Sequence, residues 1–482
     1  MSKSVAKNYL YNVSYQILVI LVPLITTPYI SRVLGVDNIG IFGYAQSIVN
    51  YFVLFGCIGM NIYGQREIAY CRENPEQRSQ VFWSLALLRV VTVSVSLVVF
   101  YFAIVRNAQY PEYFLIFMVE LIAAIFDISW LFQGMENFKL VALRNFIIKL
   151  SGVLLIFLFV KTKEQLDLYI WCYAGTILLG NLSLWFYLPK VIKKVPLKKL
   201  RVFCHFIPAI SLFVPQIAIS IYTQLDKTMI GLLSTNAEVG YYTQADKITK
   251  LALAIVTSLG AVMLSRIAHV FSKDDQEELN RYIHQSFRFV FFLAIPIMFG
   301  LVGISSGFVP WFFGAGWEPV VLVMMVISPV VLLIGLSNVM SNQYLLPTKQ
   351  VKFYTIAVVS GACVNFVCNL IAIPKWGAIG ASVATLLAET AVTAIEFWFV
   401  RKSFHVGTIF RYAIKNLLAG LVMLGVIFGF SYILPAKIWA TVFEIAAGAA
   451  VYFVLLYLLK DTFTRNLFEK GVSLIKRKHA NR

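Results

Sequence analysis

Basic side chains interrupt the long apolar stretches of this sequence, and such side chains could bind an anion. An ionisable side chain at the centre of a membrane helix costs about 2.5–3.5 kcal/mol, so it usually faces a bundle interior or a water-filled cavity. Guanidinium and ammonium groups form charge-assisted hydrogen bonds to phosphate. We therefore predict a partly cationic lumen for an anionic substrate, with contacts from Arg32, Arg89, Lys149, Lys227, Lys247 and Lys250.

Uncharged polar residues in the same stretches repeat at helical spacing. Residues four apart lie on one face of a helix, and the first stretch carries such a pair in Asn12 and Gln16. The second stretch carries Gln46 and Asn50, and the polar stripe of the seventh begins at Gln216. These stripes predict the polar lining of a water-filled cavity.

Acidic residues in these stretches leave a second interpretation open, in which the charges only pair with one another. Asp246 and Lys250 are spaced i, i+4 on one predicted helix, which is a favourable spacing for an ion pair. Glu120 or Asp127 could meet the basic residues of neighbouring helices across a bundle. Residue types alone do not decide between a substrate site and structural pairing.

The composition establishes the class of protein. Of 482 residues, 60% are hydrophobic and 13% charged, and the mean hydropathy is +0.79, whereas soluble proteins are about 45–50% apolar and about 25% charged. One span needs roughly 20 apolar residues, and continuous apolar runs predict helices instead of the alternating strands of a barrel. The sequence thus predicts an all-α polytopic membrane protein with about 14 transmembrane helices and excludes a soluble enzyme.

The distribution of positive charge predicts the topology. Outside the predicted helices, 30 Lys and Arg residues fall on the side of both termini and 6 fall on the opposite side. Positive residues collect on the cytoplasmic side, so we predict a multi-pass membrane protein with both termini in the cytoplasm. This bias accounts for the net charge of +18 without nucleic acid. The basic segment 190–201 predicts binding to anionic lipids.

Internal similarity predicts the division into domains. Residues 39–48 resemble residues 239–248 at an offset of 200, with Gly40 matching Gly240. We therefore predict two parallel six-helix bundles, a design that transporters use for alternating access. The predicted parts are an N-terminal bundle (1–188), a basic linker (189–205), a C-terminal bundle (206–400), helices 13 and 14 (401–460) and a basic tail (461–482).

The common catalytic and metal-binding patterns are missing from the sequence. All five histidines are assigned to cytoplasmic connections or the tail, and the six cysteines form no CxxC pair. The sequence has no GxSxG, HExxH or P-loop motif. We therefore predict neither an enzyme nor a resident metal or cofactor. A membrane polysaccharide polymerase is a disfavoured alternative, because the predicted outer loops are short and carry no histidine.

Three segments carry a resemblance to a known family: residues 28–35 (PYISRVLG) followed by 39–43 (IGIFG), residues 225–231 (LDKTMIG), and residues 344–349 (YLLPTK). Over essentially its full length, the sequence resembles the Wzx-type oligosaccharide flippases of the polysaccharide transporter family. These belong to the MOP superfamily of multidrug, oligosaccharidyl-lipid and polysaccharide exporters. The resemblance implies that undecaprenyl-diphosphate-linked repeat units move from the inner to the outer leaflet for capsule, exopolysaccharide, O-antigen or wall polymer. It also implies a polysaccharide polymerase and chain-length machinery as partners.

The resemblance further implies a site for a coupling ion in the second bundle, because relatives that flip lipid II use a monovalent cation there. Comparable positions here are Asp226, Asn365, Asn369 and Thr385, with Glu389 one turn beyond. Asn369 stands where the family pattern has a carboxylate, so the choice between H⁺ and Na⁺ stays open. The alternative function is a multidrug–cation antiporter of the same superfamily, which the basic residues of the seventh and eighth spans disfavour.

Overall fold

The computed structural model describes residues 3–258, 260–273, 275–403 and 406–465. The side chains of residues 3–20, and of some residues within 212–222, 261–265 and 406–410, lie outside that description. Throughout the described ranges the regular structure is helical, with no strand. Ten helical stretches in those ranges are long and apolar enough to cross a membrane. The prediction of an all-α polytopic membrane protein is confirmed, and the count of 14 spans stays a prediction.

Internal contacts divide the chain into two compact units, which we call unit 1 (Met1–Gly240) and unit 2 (Tyr241–Arg482). The helices of unit 1 are α1 (Lys3–Cys57), α2 (Met60–Tyr70), α3 (Pro75–Ala103), α4 (Pro111–Phe126), α5 (Ser129–Gly134), α6 (Phe138–Phe159), α7 (Leu166–Ser183) and α8 (Phe206–Leu233). Helix α8 packs against α1 within unit 1, where the Ser47 and Thr228 hydroxyls are hydrogen-bonded at 2.8 Å. The sequence assigned α8 to the second bundle, and the predicted part boundaries stay a prediction.

The next helix, α9 (Asn236–Thr257), begins at the end of unit 1 and continues into unit 2. The other helices of unit 2 are α10 (Gly260–Ser272), α11 (Gln276–Phe313), α12 (Pro319–Ile327), α13 (Val330–Asn338), a π-helical segment (Val339–Leu345), α14 (Val351–Val400), α15 (Val406–Ile433) and α16 (Ile438–Leu458). Helices α11, α15 and α16 pack together, while α12 and α13 pack against α14.

Two glycines bend the longest helices. In α1, Gly35 adopts φ 76°, and in α14, Gly377 adopts φ 53°. A side chain makes this left-handed region unfavourable, whereas glycine enters it readily. Each element therefore contains two helical arms, which agrees with the two separate helices that the sequence predicted on either side of each glycine.

A half-buried polar residue lies where one predicted span ends early. The sequence predicted a helix over 112–133, but α4 ends before Asp127, which has extended backbone angles. The Asp127 carboxylate accepts a hydrogen bond from the backbone N–H of Ser129 at 3.0 Å. It thereby satisfies a donor at the first turn of α5 and returns the chain to a helix.

The core of unit 1 is built around aromatic side chains, while apolar side chains also cover the outer surface. Trp130 is 1% exposed and stacks on Phe82. Gly64 allows this packing, because a Cβ there would lie 2.6 Å from the Trp130 ring. Leu158, by contrast, is 65% exposed, as expected for a side chain that faces lipid hydrocarbon.

Candidate functional site

A polar cavity of about 290 Å³ lies inside unit 1. Helices α1 to α4, α6 and α7 supply its walls. Its lining residues are Val53, Cys57, Asn61, Arg89, Glu120, Ala124, Asp127, Arg144, Asn145, Ile148, Lys149, Ile177 and Asn181. Three cations and two carboxyl groups therefore line one partly open cavity, and Lys149 among them is exposed.

Arg89 of α3 is held rigidly at this cavity and is 2% exposed. Its Nη1 donates a hydrogen bond to the backbone carbonyl of Asp127 at 2.7 Å, and its Nη2 donates to Oδ1 of Asn61 at 2.9 Å. The distance from Nη2 to the Asp127 carboxylate is 4.0 Å. Arg89 thus joins α3 to α2 and to the end of α4, so its first role is to shape the cavity wall.

Helix α6 contributes two further cations, of which the sequence predicted only Lys149. Arg144 donates a hydrogen bond through Nε to the backbone carbonyl of Gly180 at 3.1 Å, and another to the side chain of Asn181. Lys149 lines the cavity and has no hydrogen bond or ion pair within the described residues. Lys149 is therefore the cation in this cavity that can offer all its donors to a ligand.

Arg144 is one of the 30 basic residues that the sequence assigned to the cytoplasmic side, and it was not predicted as an anion contact. In the structure it lies in the second turn of α6. Its spacing from Ile148 and Lys149 places all three on adjoining parts of one helix surface. That spacing was the signal that could have identified it, together with Asn145 at i, i+4 from Lys149.

Two carboxyl groups, Glu120 and Asp127, line the same cavity and partly offset the charge of its three basic residues. Glu120 of α4 lines the cavity, and its buried Oε2 has no hydrogen-bond partner among the described residues. The Asp127 carboxylate already accepts a hydrogen bond from the backbone N–H of Ser129. Arg89 and Asp127 pair, as expected if the charges are structural. Lys149 forms no pair within the described residues, as expected for a substrate contact.

A second polar pocket of about 300 Å³ adjoins the first and shares Asn61 with it. Asn50 of α1 and Thr223 and Gln224 of α8 contribute to its lining. Gln46, one turn before Asn50, donates a hydrogen bond to the Tyr173 hydroxyl. The predicted polar stripe of α1 therefore faces the interior of unit 1 at these positions. The predicted lining residues Asn12, Gln16 and Gln216 lie outside the described side chains.

The other predicted anion contacts are separate from the unit 1 cavity. Arg32 is exposed on α1, and Lys227 is half-buried on α8; neither lines the 290 Å³ cavity. In unit 2, Lys250 of α9 forms an ion pair with Asp246, with Nζ and Oδ2 2.8 Å apart. Lys247 is half-buried on the same helix. The six predicted cations thus do not form one cluster within either unit.

Four of the residues predicted to bind a cation lie in unit 2, and Asp226 lies buried in unit 1. Asn369 donates a hydrogen bond to Oδ1 of Asn365 at 3.0 Å, and both are fully buried in α14. Thr385 is hydrogen-bonded to the Tyr242 hydroxyl at 3.2 Å. Glu389 is 7% exposed, one turn beyond Thr385. These contacts pair Asn365 with Asn369 within α14 and Thr385 with α9, and the cation assignment stays a prediction. Within the described residues, no group of three or more His, Cys, Asp or Glu side chains could hold a metal ion.

Known proteins resemble this chain over most of its length. A sequence model of the family described as polysaccharide biosynthesis protein matches residues 5–271, more than half of the chain. The chain is 25% identical over 414 residues to a protein assigned to O-antigen transport in Escherichia coli (strain K12), which covers 83% of this chain and 97% of the relative. It is also 25% identical over 252 residues to a protein assigned as the low-salt glycan biosynthesis flippase Agl15 in Haloferax volcanii, which covers 51% of this chain and 53% of the relative.

The fold has a known counterpart among solved structures. The lipid II flippase MurJ, in an inward closed conformation, superimposes with a TM-score of 0.78 at 18% identity, over 95% of this chain and 100% of that chain. At this level of identity the likeness establishes the fold alone.

Proposed function

Because the chain belongs to the polysaccharide biosynthesis protein family, we propose that it is a flippase that carries a lipid-linked oligosaccharide across a bacterial membrane. The observation that carries this proposal is Lys149, an ammonium group without a protein partner in the described residues, which lines a polar cavity inside a membrane-embedded unit. A lysine within an apolar membrane helix usually faces a polar interior or a substrate pathway, so an anionic substrate that pairs with Lys149 explains its position.

The proposed substrate is an undecaprenyl-diphosphate-linked repeat unit. Its diphosphate is anionic, and Lys149 and Arg144 are suited to hold it through charge-assisted hydrogen bonds. The Oδ1 atoms of Asn61 and Asn145 accept hydrogen bonds from Arg89 and Arg144, and their Nδ2 groups can donate to the sugar hydroxyls. A cavity of about 290 Å³ is at the lower end of the range for ligand pockets, so it would hold the diphosphate end of the headgroup while the polyprenyl chain stays in the bilayer.

The mode of action that we propose is transport by alternating access, without covalent chemistry. The relatives named above are assigned as a transporter and a flippase, which supports transport over catalysis. We place the protein in the bacterial cytoplasmic membrane with both termini in the cytoplasm, on the basis of the 30-to-6 distribution of Lys and Arg. Anionic lipids at the segment 190–201, a polysaccharide polymerase and chain-length machinery are the proposed partners, and H⁺ or Na⁺ is the proposed coupling ion.

The proposal is tested by following the lipid-linked oligosaccharide in cells depleted of this protein. A flippase predicts that complete repeat units accumulate on the inner leaflet while their synthesis continues. Normal surface polymer combined with new sensitivity to cationic dyes would identify a multidrug antiporter instead. Single repeat units that accumulate on the outer leaflet would identify a polymerase, and either result would overturn the proposal.

A further inference from the structure

A carboxyl group that has no role assigned above is buried inside unit 2, two turns of α14 after Glu389. Glu396, near the end of α14, is 0% exposed. Neither of its carboxyl oxygens accepts a hydrogen bond within the described residues, although the Ser337 hydroxyl of α13 lies beside them. An ionised carboxylate without hydrogen bonds or a cation is very costly in such a place, and the group neutralises instead.

Among the described residues, the helices on the Ser337 side of Glu396 provide no positive charge. Helices α12 and α13 pack against α14 and carry no titratable side chain. The titratable groups that act on it are Tyr354 and Glu389 of α14. The π-helical segment that also packs on α14 contains Tyr344. Glu389 lies two turns before Glu396, about 10 Å along the helix axis, and would add negative charge.

The residue after Glu396 forms an aromatic contact with α11. Phe287 of α11 stacks on Phe397, with ring centroids 5.9 Å apart. The cation next to Phe287, Arg288, lies over the Tyr412 ring at 4.4 Å and donates a hydrogen bond to Thr462. It is therefore engaged with α15 and the segment after α16 instead of Glu396.

The helix that faces Glu396 leads directly into an irregular segment. Ser337 is in the last turn of α13, and the π-helical segment Val339–Leu345 follows without a break. π-Helical turns are rare and occur frequently at functional sites. The segment contains Gln343, which is 2% exposed and has an Oε1 atom without a partner among the described residues. The wall beside Glu396 therefore contains an irregular helical turn and an unsatisfied buried polar atom.

We propose that Glu396 is a proton-binding site of unit 2, which holds its proton while it is sealed and releases the proton to water when the α13–π-helical wall opens. In the sealed state the carboxylic acid is neutral and its O–H points to the Ser337 hydroxyl. On opening, the O–H bond breaks, the proton passes to water, and the carboxylate is hydrated. The use of this proton to drive transport rests on the proposed function, whereas proton binding itself does not.

Infrared difference spectroscopy of the purified full-length chain in lipid nanodiscs tests the site. The wild-type protein should show the C=O stretch of a protonated carboxyl group with weak hydrogen bonding at neutral pH, and this band should shift on transfer to D₂O. Glu396→Gln should lose the band. The matched control is Glu444→Gln, because Glu444 is another buried carboxyl of unit 2, 2% exposed, but accepts a hydrogen bond from Ser431 at 3.0 Å; it should retain the Glu396 band. Glu396→Asp is a second test in case Glu396→Gln does not fold. It keeps a carboxyl group and should show the band at a changed frequency.

Equal band intensity in the wild type and Glu396→Gln, or an unchanged band in Glu396→Asp, would overturn the proton site. A band that never shifts in D₂O would overturn its release on opening. For transport, export by the wild type should vary with external pH, and the profile should become flat in Glu396→Gln but not in Glu444→Gln. A wild-type profile in Glu396→Gln would overturn the coupling. A wild-type chain that exports nothing would contradict the proposed function and leave the infrared result standing.

Discussion

Gly40 and Gly240 are 200 residues apart in the sequence. Gly40 packs against the backbone of Asn236, four residues before Gly240, and Gly240 packs against the backbone of Val36, four residues before Gly40. A Cβ on Gly40 would lie 1.7 Å from the backbone oxygen of Asn236, and a Cβ on Gly240 would lie 2.6 Å from the backbone oxygen of Val36. The two glycines occupy equivalent places in the internal repeat. They allow α1 and the start of α9 to approach at backbone distance, as small residues do at membrane helix interfaces.

We expect Gly40→Ala to destabilise the protein by about 3 kcal/mol, the upper part of the range for overpacking, because the clash is with backbone that no side-chain rotation relieves. The thermal midpoint of the detergent-solubilised protein measures the effect. Gly175→Ala is the matched control, since Gly175 is also in a helix and a Cβ there meets nothing within 4 Å. Equal midpoints for the two variants would show that the close approach at Gly40 does not contribute to stability.

The helical membrane fold could be predicted from the sequence because its main signal is local. Long apolar runs, and the glycines that bend α1 and α14, can be identified without knowing what packs against them. The end of α4 could not, because Asp127 is one polar residue in an apolar run. Its effect depends on the Arg89 side chain that reaches its carbonyl oxygen from another helix.

Arg89→Lys should destabilise the protein although it preserves the charge. A single ammonium group cannot replace a guanidinium that bonds the Asp127 carbonyl and the Asn61 amide together. Leaving a buried acceptor unsatisfied costs about 1–3 kcal/mol, and we expect a lower thermal midpoint. Arg66→Lys is the control, because Arg66 forms an exposed ion pair with Glu67, a type of contact worth about 0–1 kcal/mol. A similar decrease in both variants would contradict the structural role of Arg89.

The cations of the candidate site were predicted less completely than the helices. Lys149 and Arg89 stood out because each charge interrupts an apolar run, whereas Arg144 lies close to the end of its helix and could equally belong to a loop. The sequence also grouped Lys247 and Lys250 with them, because spacing along one chain does not show which cavity a side chain lines. Such an assignment requires the packing of helices that are distant in sequence.

The pair of His205 and Tyr63 should make stability depend on pH. The Tyr63 hydroxyl and Nδ1 of His205 are 2.8 Å apart, and burial lowers the pKa of His205 below its ordinary value of about 6.5. The unfolded chain therefore binds this proton more readily than the folded chain. Stability from this group should be fully present above about pH 6.5, and it should fall as the pH drops through that value toward the lower folded pKa.

Thermal midpoints of the wild type and His205→Gln between pH 8 and pH 5 measure this effect. The decrease toward acid pH should be smaller in His205→Gln. His269→Gln, at an exposed histidine of α10, should keep the wild-type decrease. The same decrease in all three proteins would assign the pH dependence to other groups.

Variants of Lys247 and Lys250 test whether these lysines contact the substrate or only pair with acidic residues in unit 2. If they contact the anionic substrate, changing both to Met should abolish export while expression stays normal. If Lys250 serves only Asp246, which lies 2.8 Å away, then Asp246→Asn should damage the protein as much as Lys250→Met. In that case the double change Asp246→Asn with Lys250→Met should recover. Surface polymer and membrane abundance, measured together, distinguish the two outcomes, and normal export from the double Lys variant would remove both lysines from the mechanism.

Lys149→Met should remove the main anion contact of the unit 1 cavity. A hydrogen bond to a charged group contributes about 1.5–3 kcal/mol, so affinity for the diphosphate headgroup should fall roughly 10- to 100-fold. Stability should hold or rise, because a membrane helix loses a charge that has no protein partner within the described residues. Export of repeat units at limiting expression, together with the thermal midpoint, measures both effects. Lys161→Met, at an exposed lysine beyond the end of α6, should export normally. Unchanged export in Lys149→Met would place the headgroup elsewhere, whereas a lower midpoint would show that Lys149 is structural after all.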